Sequence, residues 1–287
     1  MPVAALFSGA LVWGLIWYPY RMLQSRGISA ELATLVTYML AMTFGSFMLP
    51  RALRELRMNH HHAKKWLVLL VLSTGWTNLG YVIAMLHGEV MRVLLLFYLA
   101  PLWTVLFSYW LLDERLNRSG FAIIMLSLAG AVTMLWKPQL GMPLPETLAE
   151  WIGLSAGMGF ALSNVTSRRA AFLIEEAKSY SVWIGTIMVA MPLLWFQGGA
   201  MHQLASADAQ SWLILALLGM VICGTSYAVQ YGVSRLPANR SIILLLSELV
   251  FAAISSNLLA GEVMQLRDWM GAMLIVSATL MSGKLHS

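Results

Sequence analysis

Ten stretches of the chain are apolar over about the length of a membrane-spanning helix. They cover residues 2–20, 30–49, 66–86, 90–112, 119–136, 148–172, 179–196, 211–234, 238–260 and 269–283. A spanning helix needs about 20 mostly apolar residues. A barrel strand would instead alternate over about ten. The pattern therefore predicts an all-helical bundle. Turn and charge signals separate the stretches: Arg26-Gly27, the loop from Arg51 to Lys65, Asp113-Glu114-Arg115, Lys137-Pro138, Gly198-Gly199, Pro237 and Gly261-Glu262.

Composition sharpens this reading. Of the 287 residues, 59% are hydrophobic and 11% charged, against about 45–50% and about 25% in soluble domains. Too little polar surface exists to cover a soluble core of that size, so the chain reads as an all-α integral membrane protein. The net charge of +5 does not point to nucleic acid, because the basic residues sit in short loops. With the N-terminus in the cytoplasm, 13 of the 18 Lys and Arg fall inside. Inner loops carry such an excess, so both termini are expected to be cytoplasmic. The single Cys223 forms no intrachain disulfide, and the opening residues read as a first span rather than a cleavable signal.

The chain also resembles itself. Arg92 and Arg240, Glu114 and Glu262, and Thr77 and Thr225 are each 148 residues apart. Earlier in the chain the offset is 147, as in Ser8 and Ser155, Trp13 and Phe160, and Arg21 and Arg168. The expected units are 1–140 and 148–284, each of five helices. Five is odd, so the second copy enters the membrane inverted. Inverted repeats belong to secondary transporters, whose substrate site lies near the midplane between the copies.

These features resemble the EamA branch of the drug/metabolite transporter superfamily. The resemblance rests on Leu111-Leu112-Asp113-Glu114-Arg115, Leu259-Ala260-Gly261-Glu262-Val263, Trp13-Gly14, and the Tyr98-Leu-Ala-Pro101-Leu-Trp103 stretch. Within that superfamily the aromatic content and the last stretch resemble bacterial aromatic amino acid exporters. The second copy lacks the proline, since Leu249 stands where Pro101 would be. The resemblance implies a multi-pass carrier of the bacterial inner membrane that moves small metabolites outward without ATP.

Polar residues inside spans carry the candidate chemistry, because burying them there is costly. Thr74, Thr77, Asn78 and Tyr81 form one helical stripe, and Cys223, Ser226, Tyr227 and Gln230 another. Both stripes line a central cavity or join helices by hydrogen bonds. Trp17, Tyr98 and Trp103 lie deep enough to stack on a flat substrate rather than form an interfacial belt. Pro101 removes a hydrogen bond within its helix, marking a hinge or a packing kink and freeing a carbonyl for a substrate amine. Glu248 is the one acid expected well inside a span, to bind an amine, exchange a proton or hold structure. Asn164 is placed to orient a carboxylate, while Arg168 reads as a topology anchor. Glu114 and Glu262 read as structural carboxylates favouring a positive helix end.

No Walker loop or HExxH helix is present. His60-His61-His62 reads as a solvated loop, and no catalytic residue, metal or cofactor is expected. The expected partners are the lipid bilayer and a small molecule, an aromatic amino acid or one like it; a monomer is compatible with everything above. The competing readings are a family carrier for a different metabolite or drug, and an integral-membrane enzyme.

Overall fold

The structure, a computed structural model, describes residues 1–58, 60–136, 144–197, 199–261 and 263–284. Every regular element among them is helical. In chain order they are α1 (Pro2–Ser25), α2 (Ala30–Phe44), α3 (Leu49–Met58), α4 (His60–His87), α5 (Val90–Phe97), α6 (Ala100–Leu112) and α7 (Arg118–Leu135). There follow α8 (Leu148–Arg169), α9 (Glu175–Gln197), α10 (Ala200–Ala205), α11 (Ala209–Arg235), α12 (Ala238–Leu246), α13 (Glu248–Ala260) and α14 (Leu266–Met281). Side chains start many of these helices. Ser29, Asn117, Thr147 and Asp208 each accept an amide hydrogen bond from the first turn they precede, supplying partners for amides that have none within the helix.

Eight helical stretches among the described residues are long and apolar enough to cross a membrane: Pro2–Ser25, Ala30–Met58, Ala63–Met85, Val90–Leu112, Arg118–Leu135, Glu175–Phe196, Ala209–Arg235 and Ala238–Ala260. The other two expected spans are α8 and α14. Helix α14 has 16 residues, and α8 is diluted by glycines, serines and Glu150. Large apolar side chains face outward, among them Leu72, Trp195, Phe196, Leu258 and Leu280. Water would penalise such a surface, whereas lipid tails cover it.

Three details of the chain path differ from the sequence expectation. Arg51 to Met58 is helical rather than loop, because α3 is amphipathic: Ala52 is buried while Arg51, Arg54 and Arg57 stay outside. Val90–Leu112 is two helices, so Pro101 does not kink a continuous one. It sits in the first turn of α6, where its missing N–H costs nothing. Ala238–Ala260 is likewise interrupted, at Ser247, without a proline. The break residues Lys137, Pro138, Gly198 and Glu262 lie outside the described residues, as do the side chains of His60, His61, His62 and Lys284.

Helix packing is orderly. Helix α8 lies against α4, α5 and α6, while α1 lies against α11, α12 and α13. Helix α4 also packs on α9, α11 on α2, and α7 on α14. Where α6 and α13 end, Asp113 and Gly261 both take left-handed backbone, with φ of 56° and 68°.

Candidate functional site

The two interrupted helices bring chemistry together. Tyr98 caps the C-terminus of α5, and Glu248 opens α13. The Tyr98 hydroxyl donates to Glu248 Oε1 at 2.5 Å. The position at a helix N-terminus also favours a negative charge on Glu248. Rings surround the pair. Phe97 meets Tyr81 edge-on at 5.1 Å and Tyr98 at 5.4 Å, and it stacks with Phe160 of α8 at 5.6 Å.

Close backbone approach fixes this arrangement. A Cβ on Gly157 of α8 would fall 2.4 Å from the Phe97 carbonyl oxygen, so only glycine lets α8 cover the break. That carbonyl is the one Pro101 leaves without its helical donor, and it faces α8 rather than open space. On the other side, Ser255 Oγ of α13 donates to the Gly14 carbonyl at 2.8 Å and accepts from Trp17 Nε1 at 2.9 Å. The α12–α13 break has its own local cause: Ser247 Oγ bonds back to the Leu244 carbonyl at 2.6 Å, a bond by which serine bends helices.

The structure thus gathers Tyr81, Tyr98 and Glu248, with Trp17 anchored about two turns along α13. The other named residues lie elsewhere. Trp103 packs among Ile123, Ile124 and Ile242, and its buried Nε1 has no hydrogen-bond partner among the described residues. Asn164 is buried and donates to the Phe160 carbonyl one turn back, at 2.9 Å. Tyr227 has Glu175, Glu176, Arg235 and Arg51 as its electrostatic neighbours. Asn78 donates to the Thr74 carbonyl at 2.9 Å and to Thr186 Oγ1 of α9 at 3.1 Å. Other acids are buried nearer the helix ends. Glu31, Glu150 and Glu176 are all buried, each within the first turn of its helix.

Two ionic clusters mark opposite ends of α8. In its first turn Glu150 pairs with Arg92 at 2.9 Å, which also meets Glu146. In its last turn Arg168 donates to the Ser234 carbonyl at 2.6 Å and lies 3.6 Å from Glu114. Near that second cluster Lys178 donates to Ser234 Oγ, Arg235 pairs with Glu175, and Arg51 lies 3.6 Å from Glu176. Glu114 accepts the Ala238 amide at 2.9 Å, so it serves the start of α12; Asn117 caps α7. Burial pushes the Glu114 carboxyl above its usual range, and the Ala238 amide and Arg168 oppose that shift.

Sequence reasoning missed Phe97, Phe160, Ser255 and Glu31. Phe97 and Phe160 looked like ordinary apolar core. A signal existed for Glu31, a carboxylate two residues past the cap Ser29 at the edge of an apolar stretch.

The model of the EamA-like transporter family matches residues 1–136 and again 147–283. YojE, described as an uncharacterized transporter of Bacillus subtilis (strain 168), is 27% identical over 187 residues. That alignment takes in 64% of this chain and 58% of YojE, so the chain spans under two thirds of that relative. A protein of solved crystal structure shares the fold with a TM-score of 0.72, over 99% of this chain and 98% of its own, at 19% identity.

Proposed function

The chain belongs to the EamA-like transporter family, and from that premise we propose that it is a secondary carrier exporting small aromatic metabolites, aromatic amino acids foremost. The observation that carries this reading is the Tyr98–Glu248 pair between two interrupted helices, ringed by Tyr81, Phe97 and Phe160. Discontinuous helices supply unpaired backbone groups and helix ends where a solute binds. Glu248 offers a counter-charge for the substrate ammonium, and the rings offer flat surface worth about 0.5–1.5 kcal/mol per well-placed pair.

In this reading the chain is two inverted five-helix units, 1–140 and 148–284, that rock about the pair to open it to either side. The same family model matching twice supports the duplication. So do the breaks at Tyr98-Leu99 and Ser247, and the left-handed ends at Asp113 and Gly261, each pair about 148 residues apart. Asn78, Asn164, Trp17, Pro101, Trp103 and Tyr227 serve the site at longer range, shaping or bracing the path. The membrane is the bacterial inner membrane, with both termini cytoplasmic.

Counterflow in proteoliposomes tests the reading. Labelled phenylalanine and tryptophan should exchange at least about ten-fold faster than alanine, and Tyr98→Ala should erase that preference. Equal rates for aromatic and aliphatic amino acids sink the aromatic proposal. An imposed proton gradient then tests Glu248: if wild type responds and Glu248→Gln does not, Glu248 couples the proton. If neither responds, the carrier is a uniporter.

A further inference from the structure

Along the seam of α4 and α8, positive charge gathers at one end of an apolar strip. Lys64, Val68, Leu72 and Trp76 follow at four-residue steps on α4, and all four are exposed. Residues so spaced share a helix face. From Lys64 to Trp76 the strip runs about 18 Å at 1.5 Å per residue. One leaflet of a hydrocarbon core is about 15 Å deep, so the strip has the depth of a single leaflet. Trp76 Nε1 donates to Ser155 Oγ of α8 at 3.2 Å, which tethers the indole at the far end from Lys64.

At the lysine end two further cations meet on one ring. The Lys65 ammonium lies 4.8 Å from the Trp66 ring centroid, and the Arg169 guanidinium, from the last turn of α8, lies 5.5 Å from it. A ring face attracts such cations but accepts few of their N–H donors. Lys64, Lys65 and Arg169 are all exposed. Among the described residues no carboxylate pairs with them: Glu114, Glu175 and Glu176 hold Arg168, Arg235 and Arg51 instead. Leu56 of α3 packs with Trp66 in one apolar cluster, so α3 stands beside the group and adds the exposed Arg54 and Arg57. Charge of one sign above a leaflet-deep apolar strip suits an anion that carries a hydrocarbon chain. A soluble phosphate would leave the strip bare. A zwitterionic lipid would bring its own cation against Lys65 and Arg169.

We propose that the α4–α8 seam binds one anionic phospholipid, its phosphate at Lys64, Lys65 and Arg169 and an acyl chain along Val68, Leu72 and Trp76. Orienting the chain in the membrane requires only a surplus of basic residues on one side. The site requires these particular cations, and that difference makes it testable.

Lipid titration into the detergent-purified full chain, read by native mass spectrometry, tests this without requiring transport. Its failure is therefore separate from failure of the carrier reading. The probes are dioleoyl phosphatidylglycerol and dioleoyl phosphatidylcholine. The anionic lipid should bind at least about ten-fold tighter, the worth of two cations near a membrane surface. Replacing Lys65 and Arg169 together, as Lys65→Gln with Arg169→Gln, should cut that preference to about two-fold or less. Arg115→Gln with Arg118→Gln removes the same charge from exposed positions before and at the start of α7, and should leave the preference at its wild-type value. Millimolar sn-glycerol 3-phosphate, which has the charge without the chains, should not displace the lipid. Equal affinity for the two lipids overturns the site. So does a preference that survives loss of Lys65 and Arg169, or one that falls equally in the Arg115 and Arg118 variant, where net charge alone would explain it. Displacement by glycerol 3-phosphate reassigns the cations to a soluble phosphate and equally overturns the lipid.

Discussion

Gly14 shows how much depends on a missing side chain. A Cβ there would lie 2.7 Å from Phe251 Cβ, 2.8 Å from the Glu248 carbonyl oxygen and 2.9 Å from the Ala252 amide nitrogen. Two of those three are backbone atoms, which cannot swing aside. Gly14→Ala should therefore lift α1 off the start of α13 and destabilise the protein by about 1–3 kcal/mol, the usual cost of overpacking. Gly224 of α11 is a matched control with nothing within 4 Å of its added Cβ. Gly224→Ala should stabilise by about 0.5–1 kcal/mol, because it removes only backbone freedom. Thermal melting of both variants in one detergent checks this; a loss of stability in both, or in neither, contradicts the packing argument. Trp13-Gly14 stood out in the sequence as a motif, but its purpose did not. A glycine in an apolar run says nothing of which helix crosses it.

At the scale of the helix, the span-length apolar stretches located the elements because burial or lipid contact demands them. Helix interruptions were at most half legible. Pro101 marked a hinge or kink where the structure has two separate helices, α5 and α6. Ser247 did not, since a serine that bonds its own helix at Leu244 looks like any serine that packs. The amphipathic α3 was read as loop because its three arginines outweighed the buried Ala52. Pro101 gives the element-scale test. Replacing it with alanine restores an N–H at position 101, whose helical acceptor is the Phe97 carbonyl four residues back. Pro101→Ala should favour one continuous helix from Val90 to Leu112, pulling Phe97 away from Gly157 and Tyr98 away from Glu248. Aromatic exchange should fall at least about ten-fold while the melting temperature falls by no more than a few degrees. A fully active Pro101→Ala carrier would mean that the interruption is packing alone.

Across the whole molecule, α8 acts as a ruler. Its 22 residues span about 33 Å at 1.5 Å each, close to the roughly 30 Å of a hydrocarbon core. Glu150 near its start and Arg168 near its end are each held in an ionic cluster. Its modest apolarity obscures it as a span, yet its neighbours bury it: Ala156, Ala161 and Val165 are wholly enclosed. Helix α8 meets protein more than lipid, which relaxes the demand for apolar side chains. The two clusters lie at opposite ends of a helix of that length. The face at Arg168 also carries Arg51, Lys178 and Arg235, and the sequence adds Arg54 and Arg57 in α3 and Lys64 and Lys65 near the start of α4. The face at Glu150 has Arg92 and Arg26, paired with Glu150 and Asp208. Positive charge retained on short loops keeps them in the cytoplasm, so the Arg168 face should be the cytoplasmic one. Ten crossings, as the sequence predicts, would put both termini there. Reporter fusions to either end should be active only for a cytoplasmic reporter, and a periplasmic signal from either end refutes the assignment. Converting Arg51, Arg54, Arg57, Lys64 and Lys65 together to glutamine should divert part of the population to the opposite orientation. Converting Arg21, Arg26 and Arg92 should leave orientation unchanged, because removing charge from the outer face only enlarges the bias that sets it.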